Sequence, residues 1–562
     1  MEYIIVFVIG GLFLAFVIGR ELISEQKKKK DFLRSLYEDY GKLPEKEYSL
    51  DRFARINSYY KRHKEAGQID DITWNDLNMD KIFMMINKTF SASGEEFLYY
   101  KLRTPVQKKN EMTHFEELTD YFQKNDKERV KIQELMNRLG HTGNYSLYDY
   151  IENMSILGKR SNTQHILADL LYLVGIGMLF AELSLGLLFL AVLMVTNIVT
   201  YFSERAQIEP FMVSFAYISR LLECSKELKA MKLDVIRDES RIFEENNKKI
   251  GNLNKSAWFV FSGARMGSSS NPMDLIMDYL KMIFHLDLMI FNRILQSVRD
   301  NYKEIDQVIG AVGEIECASA VGNWRDHLGQ KWCRPEIGLD DNMIFDKIYH
   351  PVLTDPVDNS LKIAAGRGIL ITGSNASGKS TFLRTIALNF LFAQTIHTCT
   401  AEKFHAPFVR LFSSMSLKDD LLGGESYYMA EIRSMKRILD EAGCEGNHLV
   451  CFVDEVLRGT NTVERIAASS EILMSLSGKN VTCFAATHDI ELTALLDEIY
   501  DNYHFEEQVV DGDVLFSYKI FQGRADSSNA IRLLEIMGYD EKIIRRAQER
   551  AALFLKKGIW EK

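Results

Sequence analysis

Gly368-Ile369-Leu370-Ile371-Thr372-Gly373-Ser374-Asn375-Ala376-Ser377-Gly378-Lys379-Ser380-Thr381 is the stretch that decides how this chain reads. Its first five residues predict a short buried strand, and Phe382 to Leu391, without Pro or Gly, predicts a helix. Between them Gly373 to Thr381 satisfies the G-x-x-x-x-G-K-S/T phosphate-loop pattern. A glycine loop between a strand and a helix N-terminus turns main-chain N–H groups inward and adds the positive end of the helix dipole, which together hold an anion. The expected ATP site is therefore Gly373, Ser374, Asn375, Ala376, Ser377, Gly378, Lys379, Ser380 and Thr381. Lys379 is expected to reach the β- and γ-phosphates, and the Ser380 hydroxyl to ligate Mg²⁺.

Two later runs extend this reading. His448 to Val453 is continuously apolar, as a parallel strand covered on both faces must be, and it ends in Asp454-Glu455. Open α/β sheets bind ligands beyond the carboxyl ends of their strands. Asp454 is thus expected to hold Mg²⁺, directly or through water, and Glu455 to orient and polarise the attacking water. A third run, Val481 to Ala486, ends in Thr487-His488. His488 is expected to sense the γ-phosphate and the water.

These motifs, in this order, resemble the MutS-type ATPases of DNA mismatch repair and their relatives. The likeness begins at Tyr349-His350-Pro351-Val352, passes through Asn375 and Gly378-Lys379-Ser380-Thr381, and continues in Leu383-Arg384. Downstream, Asp419-Asp420-Leu421 and Gly424 to Glu431 are similar to the family's signature region. Asp454 to Thr462 resembles the loop after the catalytic carboxylates, and Ala486-Thr487-His488 the histidine switch. The resemblance implies an ATP hydrolase of ABC/MutS type acting as a homodimer, with Ser426 completing the partner's nucleotide site. It also implies double-stranded, possibly mismatched, DNA as a ligand. Ser527 to Gln548 is similar to the family's terminal helical segment, which helps pair the ATPase domains. Asp70 to Leu77, Ser93 to Arg103 and Gly310 to Glu316 resemble the central core and the lever end that meets the ATPase.

The chain departs from that pattern in three ways. Nothing of the size of the mismatch-reading and connector domains precedes Asp70 in this sequence, so no mismatch-reading aromatic wedge is assigned. Leu457 stands where mismatch-repair members usually carry Gly. Finally, there are apolar segments that soluble members lack. Tyr3 to Gly19 is almost wholly apolar and is followed by Arg20 and Lys27-Lys28-Lys29-Lys30, the flank of an anchor with its N-terminus outside and its lysines in the cytoplasm. Ile166 to Phe202 is a second apolar stretch, broken near Glu182 to Gly186. It predicts two short spanning helices, with Lys159 and Arg160 before them and Arg205 after. Asp169 and Glu182 fit the alternative, a buried helical pair. Leu187 to Val195, which lacks any polar face, favours the membrane.

The expected architecture is an α/β P-loop ATPase domain at 335–562, preceded by a mostly α-helical core and lever domain at 70–330. The hairpin at about 166–202 interrupts that core, 21–69 is a cytoplasmic helical linker, and 1–20 is the anchor. The bulk of the chain is expected in the cytoplasm, at the cell membrane. Among 562 residues, 68 are basic and 78 acidic, a net charge of −10 that exerts no overall pull on nucleic acid. Seven cysteines without a CxxC pair predict neither a disulfide framework nor a structural metal. The basic tail carries Lys542, Arg545, Arg546, Arg550, Lys556 and Lys557, a solvated face or a contact for acidic lipid or DNA. Two functions stay open: a membrane-anchored, mismatch repair-like ATPase that binds DNA, and a membrane-associated signalling or remodelling ATPase that does not.

Overall fold

A computed structural model describes residues 19–20, 23–45, 47–143, 145–250, 279–338, 340–374, 377–415, 427–457, 460–510, 513–524, 531, 534–535 and 537–557. The apolar run expected as an N-terminal anchor, apart from Gly19, lies outside them. So do Asn375, Ala376, the signature stretch through Ser426, and Arg458 and Gly459. The chain divides into two compact units: residues 1–64, 86–100 and 117–327 form one, and residues 65–85, 101–116 and 328–562 the other.

The first unit is helical. Its longest buried element, Tyr302–Leu328, carries Ile305, Val308, Val312, Ile315, Val321 and Trp324 into the core. Gly313 is required there, because a Cβ would lie 2.5 Å from that of Phe97. Glu316 is buried on the same helix and accepts from the Ser91 amide at 3.2 Å, as well as from the Phe90 amide and the Ser91 hydroxyl. It thereby serves the start of the helix that begins at Ala92.

The apolar stretch forms two helices, α1 (Thr163–Ala181) and α2 (Leu183–Ala230), separated only by Glu182 in an extended conformation. The break falls inside the expected region. The second helix, however, runs 48 residues rather than stopping near Phe202. Past Pro210 it turns amphipathic, and Phe211, Phe215, Ile218, Leu221, Leu222 and Leu228 pack into the core. Burial of that second half keeps the helix going beyond the apolar run. Gly175 and Gly186 let α1 and α2 approach closely, since a Cβ at Gly186 would lie 2.7 Å from the Leu179 amide nitrogen. Only 11% of the most apolar stretch of α1 and 17% of that of α2 are buried.

The second unit holds ten described strands: β1 (Glu336–Ile337), β2 (Met343–Ile348), β3 (Asn359–Ile363), β4 (Gly368–Thr372), β5 (Lys403–Ala406), β6 (Val409–Ser414), β7 (His448–Asp454), β8 (Val481–Ala486), β9 (Tyr500–Val510) and β10 (Asp513–Gln522). A six-stranded sheet runs β10-β9-β4-β8-β7-β6, parallel except for the β9–β10 hairpin, and a four-stranded sheet runs β1-β5-β2-β3. β4, β7 and β8 are buried at every residue, as strands covered on both faces must be. Helices α3 (Lys379–Thr395), α4 (Tyr427–Ala442) and α5 (Thr462–Ser475) belong to the same unit. Cys451 and Cys483 face each other in the β7–β8 register as free, buried thiols.

Residues 65–85 and 101–116 depart from the expected boundary, which assigned them to the helical core. The reason is specific polar contact with the sheet. Asp76, ending the helix Asp71–Asp76, accepts from the Ser413 hydroxyl at 2.7 Å and the Met415 amide at 2.9 Å. Arg384 of α3 donates to the Asp76 carbonyl at 2.9 Å.

Candidate functional site

The register of three strands builds the site. Ile371 of β4 pairs with Ala486 of β8, and Ala486 pairs with Asp454 of β7, so the three carboxyl ends lie in one row. Two further bonds continue the row: Thr487 N–H donates to the Ile371 carbonyl at 3.0 Å, and Glu455 N–H to the Ala486 carbonyl at 2.8 Å. The phosphate-loop segment, the paired carboxylates and the histidine therefore share one edge of the sheet, although more than a hundred residues separate the first from the last.

Two glycines shape the loop. Gly373 has φ +143°, and a Cβ there would sit 2.9 Å from the Phe505 carbonyl oxygen. Gly378 has φ +107° and is the N-cap of α3, so it offers no side chain to the first amides of that helix. Lys379 is buried and donates to the carbonyls of Gly373 at 2.8 Å and Ser374 at 2.7 Å. Its Nζ lies 3.5 Å from His488 Nε2, which lies 2.7 Å from Glu455 Oε1. The expected residues Lys379, Glu455 and His488 thus converge. Asp454 is buried at the last position of β7, one residue before Glu455. Ser377 Oγ is buried and without a hydrogen-bond partner among the described residues.

The loop after the carboxylates is unusual. Glu455 and Leu457, neither a glycine, both have φ +59°. Left-handed backbone costs an ordinary residue roughly 1–2 kcal/mol, so this geometry persists only where the surroundings impose it. Val456 and Leu457 are buried in one apolar cluster with Met435, Ile438 and Leu473. Ser469 Oγ donates to the Val456 carbonyl at 3.2 Å, and Leu457 N–H donates to Glu431 at 2.7 Å. His488 is framed from the other side: Asp489 N–H donates to Thr487 Oγ1 at 3.0 Å, and Arg465 of α5 grips the Asp489 carboxylate with bonds of 2.8 and 2.6 Å.

These groups open on a cavity of about 550 Å³ lined by Ser374, Ser377, Lys379, Ser380, Thr381, Glu455 and His488, and also by Leu353, Val357 and Tyr518. Tyr518 sits at a bulge in β10 with φ +51°, pinned by Asn359, which donates to the Tyr518 carbonyl at 3.0 Å and accepts from Ile520 N–H at 2.8 Å. His350 also lines the cavity, and burial, with Arg384 and Lys81 nearby, pushes it down to about 4. Its Nδ1 accepts from Val352 N–H at 3.3 Å, as a neutral imidazole can. Glu507 of β9 accepts from the Ser374 hydroxyl. No group of three His, Cys, Asp or Glu is arranged to hold a metal among the described residues.

Sequence reasoning missed Tyr518, Glu507 and Asn359, and it quoted Glu431 without a role. None carries a local signal, because a bulge and an acceptor distant in sequence are visible only once strands pair.

Residues 369–554, which contain the phosphate loop, Glu455, His488 and Tyr518 but not His350, Leu353, Val357 or Asn359, match the family model for MutS domain V. Over that segment the chain is similar to the MutS family. It is 32% identical over 296 residues to the DNA mismatch repair protein MutS of Halothermothrix orenii, a match that covers 50% of this chain and 32% of the relative. It is 28% identical over 290 residues to the MutS of Clostridium kluyveri, covering 49% and 33%. The MutS of Clostridium botulinum strain 657 is 27% identical over 281 residues, covering 48% and 30%. The chain spans about a third of the length of these relatives.

Proposed function

We propose that this chain binds ATP with Mg²⁺ in the 550 Å³ cavity and hydrolyses it. The convergence of Lys379, Glu455 and His488 carries this reading. The buried Ser377 Oγ, unpartnered among the described residues, and the glycine-capped start of α3 fit a phosphate chain, which needs donors and a positive dipole end. Lys379 leaves its loop carbonyls for the β- and γ-phosphates, and Leu353, Val357 and Tyr518 offer apolar surface to the base. Ser380 and Asp454, directly or through water, would hold Mg²⁺, which would supply charge neutralisation to the phosphate chain. Glu455 orients the attacking water, and His488, bonded to it, reads the γ-phosphate.

Two copies act together, Ser426 of one completing the site of the other, and nucleotide-driven closure is released by hydrolysis. The exposed apolar surface of α1 and α2 sits in the cell membrane, with Lys159, Arg160 and Arg205 on the cytoplasmic side. A run so exposed does not suit the buried-pair alternative. The relatives are named for DNA mismatch repair, which supports duplex DNA as a ligand. The net charge of −10 favours the second reading, a membrane signalling or remodelling ATPase without DNA.

Turnover of the detergent-solubilised protein and of Glu455→Gln, with and without duplex DNA at low salt, tests these points. The variant is expected to keep nucleotide bound and to lose at least a hundredfold in kcat. Undiminished turnover would remove Glu455 from the mechanism, and absence of salt-dependent DNA binding would decide for the second reading.

A further inference from the structure

The contact between α4 and the loop bearing Glu455 has a meaning beyond the chemistry of the cavity. Glu431, 3% exposed, lies in the second turn of α4 and accepts from Leu457 N–H at 2.7 Å. That amide is two residues beyond Glu455, in a stretch where Glu455 and Leu457 are both left-handed. Sterics favour a right-handed relaxation at each of these positions, and the loop itself offers no glycine between residues 454 and 457 to absorb it. Three anchors oppose the relaxation. Glu455 N–H is held by β8 through the Ala486 carbonyl, the Val456 carbonyl by Ser469 of α5, and Leu457 N–H by Glu431 of α4. The α4 anchor is reinforced by Met435 and Ile438, which share the buried cluster of Val456 and Leu457.

We infer that Glu431 is a positioning residue for hydrolysis: its carboxyl oxygen holds the left-handed turn that aims Glu455 at His488 and the cavity. The inference rests on the hydrolytic role proposed above for Glu455. It adds that α4, whose first residues Tyr427 to Glu431 are the end of the signature region, is tied to the hydrolytic carboxylate of its own chain. Glu431 does not itself line the cavity, so its effect is on turnover rather than on nucleotide capture.

The test uses the full chain in detergent, with Glu431→Ala and Glu431→Gln beside wild type. Two readouts are taken: steady-state hydrolysis of MgATP, and hydrogen exchange of the Leu457 amide without nucleotide. Glu431→Ala is expected to speed Leu457 exchange at least tenfold and to lower kcat at least tenfold, with KM within threefold of wild type. Glu431→Gln, whose amide oxygen still accepts from Leu457 N–H, is expected to restore most of both. Unchanged exchange or unchanged kcat in Glu431→Ala overturns the inference. So does a Glu431→Gln protein as impaired as Glu431→Ala, or a KM that rises in step with the fall in kcat. A wild-type protein that does not turn over MgATP removes the parent reading and the hydrolytic part with it. The exchange comparison then still decides whether Glu431 holds the turn.

Discussion

Leu187 to Val195 in α2 and His448 to Val453 in β7 are both unbroken apolar runs, yet their surroundings are opposite. Every residue of β7 is buried, flanked by β6 and β8, with Phe452 stacked on Phe484 at 4.9 Å. In α2, Leu188 is 63% exposed and Val195 61%. Apolar composition demands removal from water and says nothing of what does the removing. For β7 the remover is the rest of its sheet and the helices around it. For the hairpin we assign that part to lipid, since α1 shields only one face.

The largest effect should come from a charge in each run. Phe452→Asp would bury an unpaired carboxylate at a fully covered position, costing about 4 kcal/mol or more, and should abolish soluble, folded protein in a thermal melt. Leu188→Asp should leave the melting of the second unit unchanged in detergent. It should nevertheless weaken membrane retention, by roughly 2–3 kcal/mol for a carboxylate near a bilayer centre, seen as protein released by alkaline extraction. Equal damage from both would make the hairpin a protein core and erase the contrast.

A smaller effect is expected at the start of α3. Gly378→Ala would force a side chain to φ +107° and to within 3.2 Å of Tyr518. ATP affinity should fall about tenfold, equivalent to about 1.4 kcal/mol, when titrated with a fluorescent analogue.

The two units should also differ in how pH affects them. Burial pushes His350 down to about 4 from its ordinary 6.5. The unfolded chain therefore binds the extra proton, and this stability is complete above pH 6.5 and lost as pH falls towards 4. Burial pushes Glu316 up to about 7 from 4.5, against the hydrogen bonds from Ser91 and Phe90. Its contribution is complete below pH 4.5 and lost as pH rises through 7. Hydrogen exchange followed separately in the two units should show the opposite slopes. Glu316→Gln should flatten the alkaline side for the helical unit alone.

Three strands of the second unit were legible almost residue by residue: β4 and β8 match the runs at 368–372 and 481–486, and β7 adds only Asp454. Continuous burial on both faces writes itself into composition, and phosphate-loop spacing into a pattern. What escaped depends on contacts distant in sequence. Asp76 joins the sheet through Ser413, 337 residues away, and helical periodicity does not reveal such a partner. Tyr518 enters the cavity through a bulge that exists only after β9 and β10 pair. The length of α2 escaped because its apolar half and its amphipathic half follow different patterns, although one backbone carries both.

That continuity has a mechanical consequence. A helix of 48 residues spans about 72 Å at 1.5 Å per residue, and each residue turns it by about 100°. One amino acid inserted near Arg205 would leave the chemistry of both halves intact while swinging the glycine-packed tip a quarter-turn or more about the axis. The phase between tip and base is thus set by residue count alone.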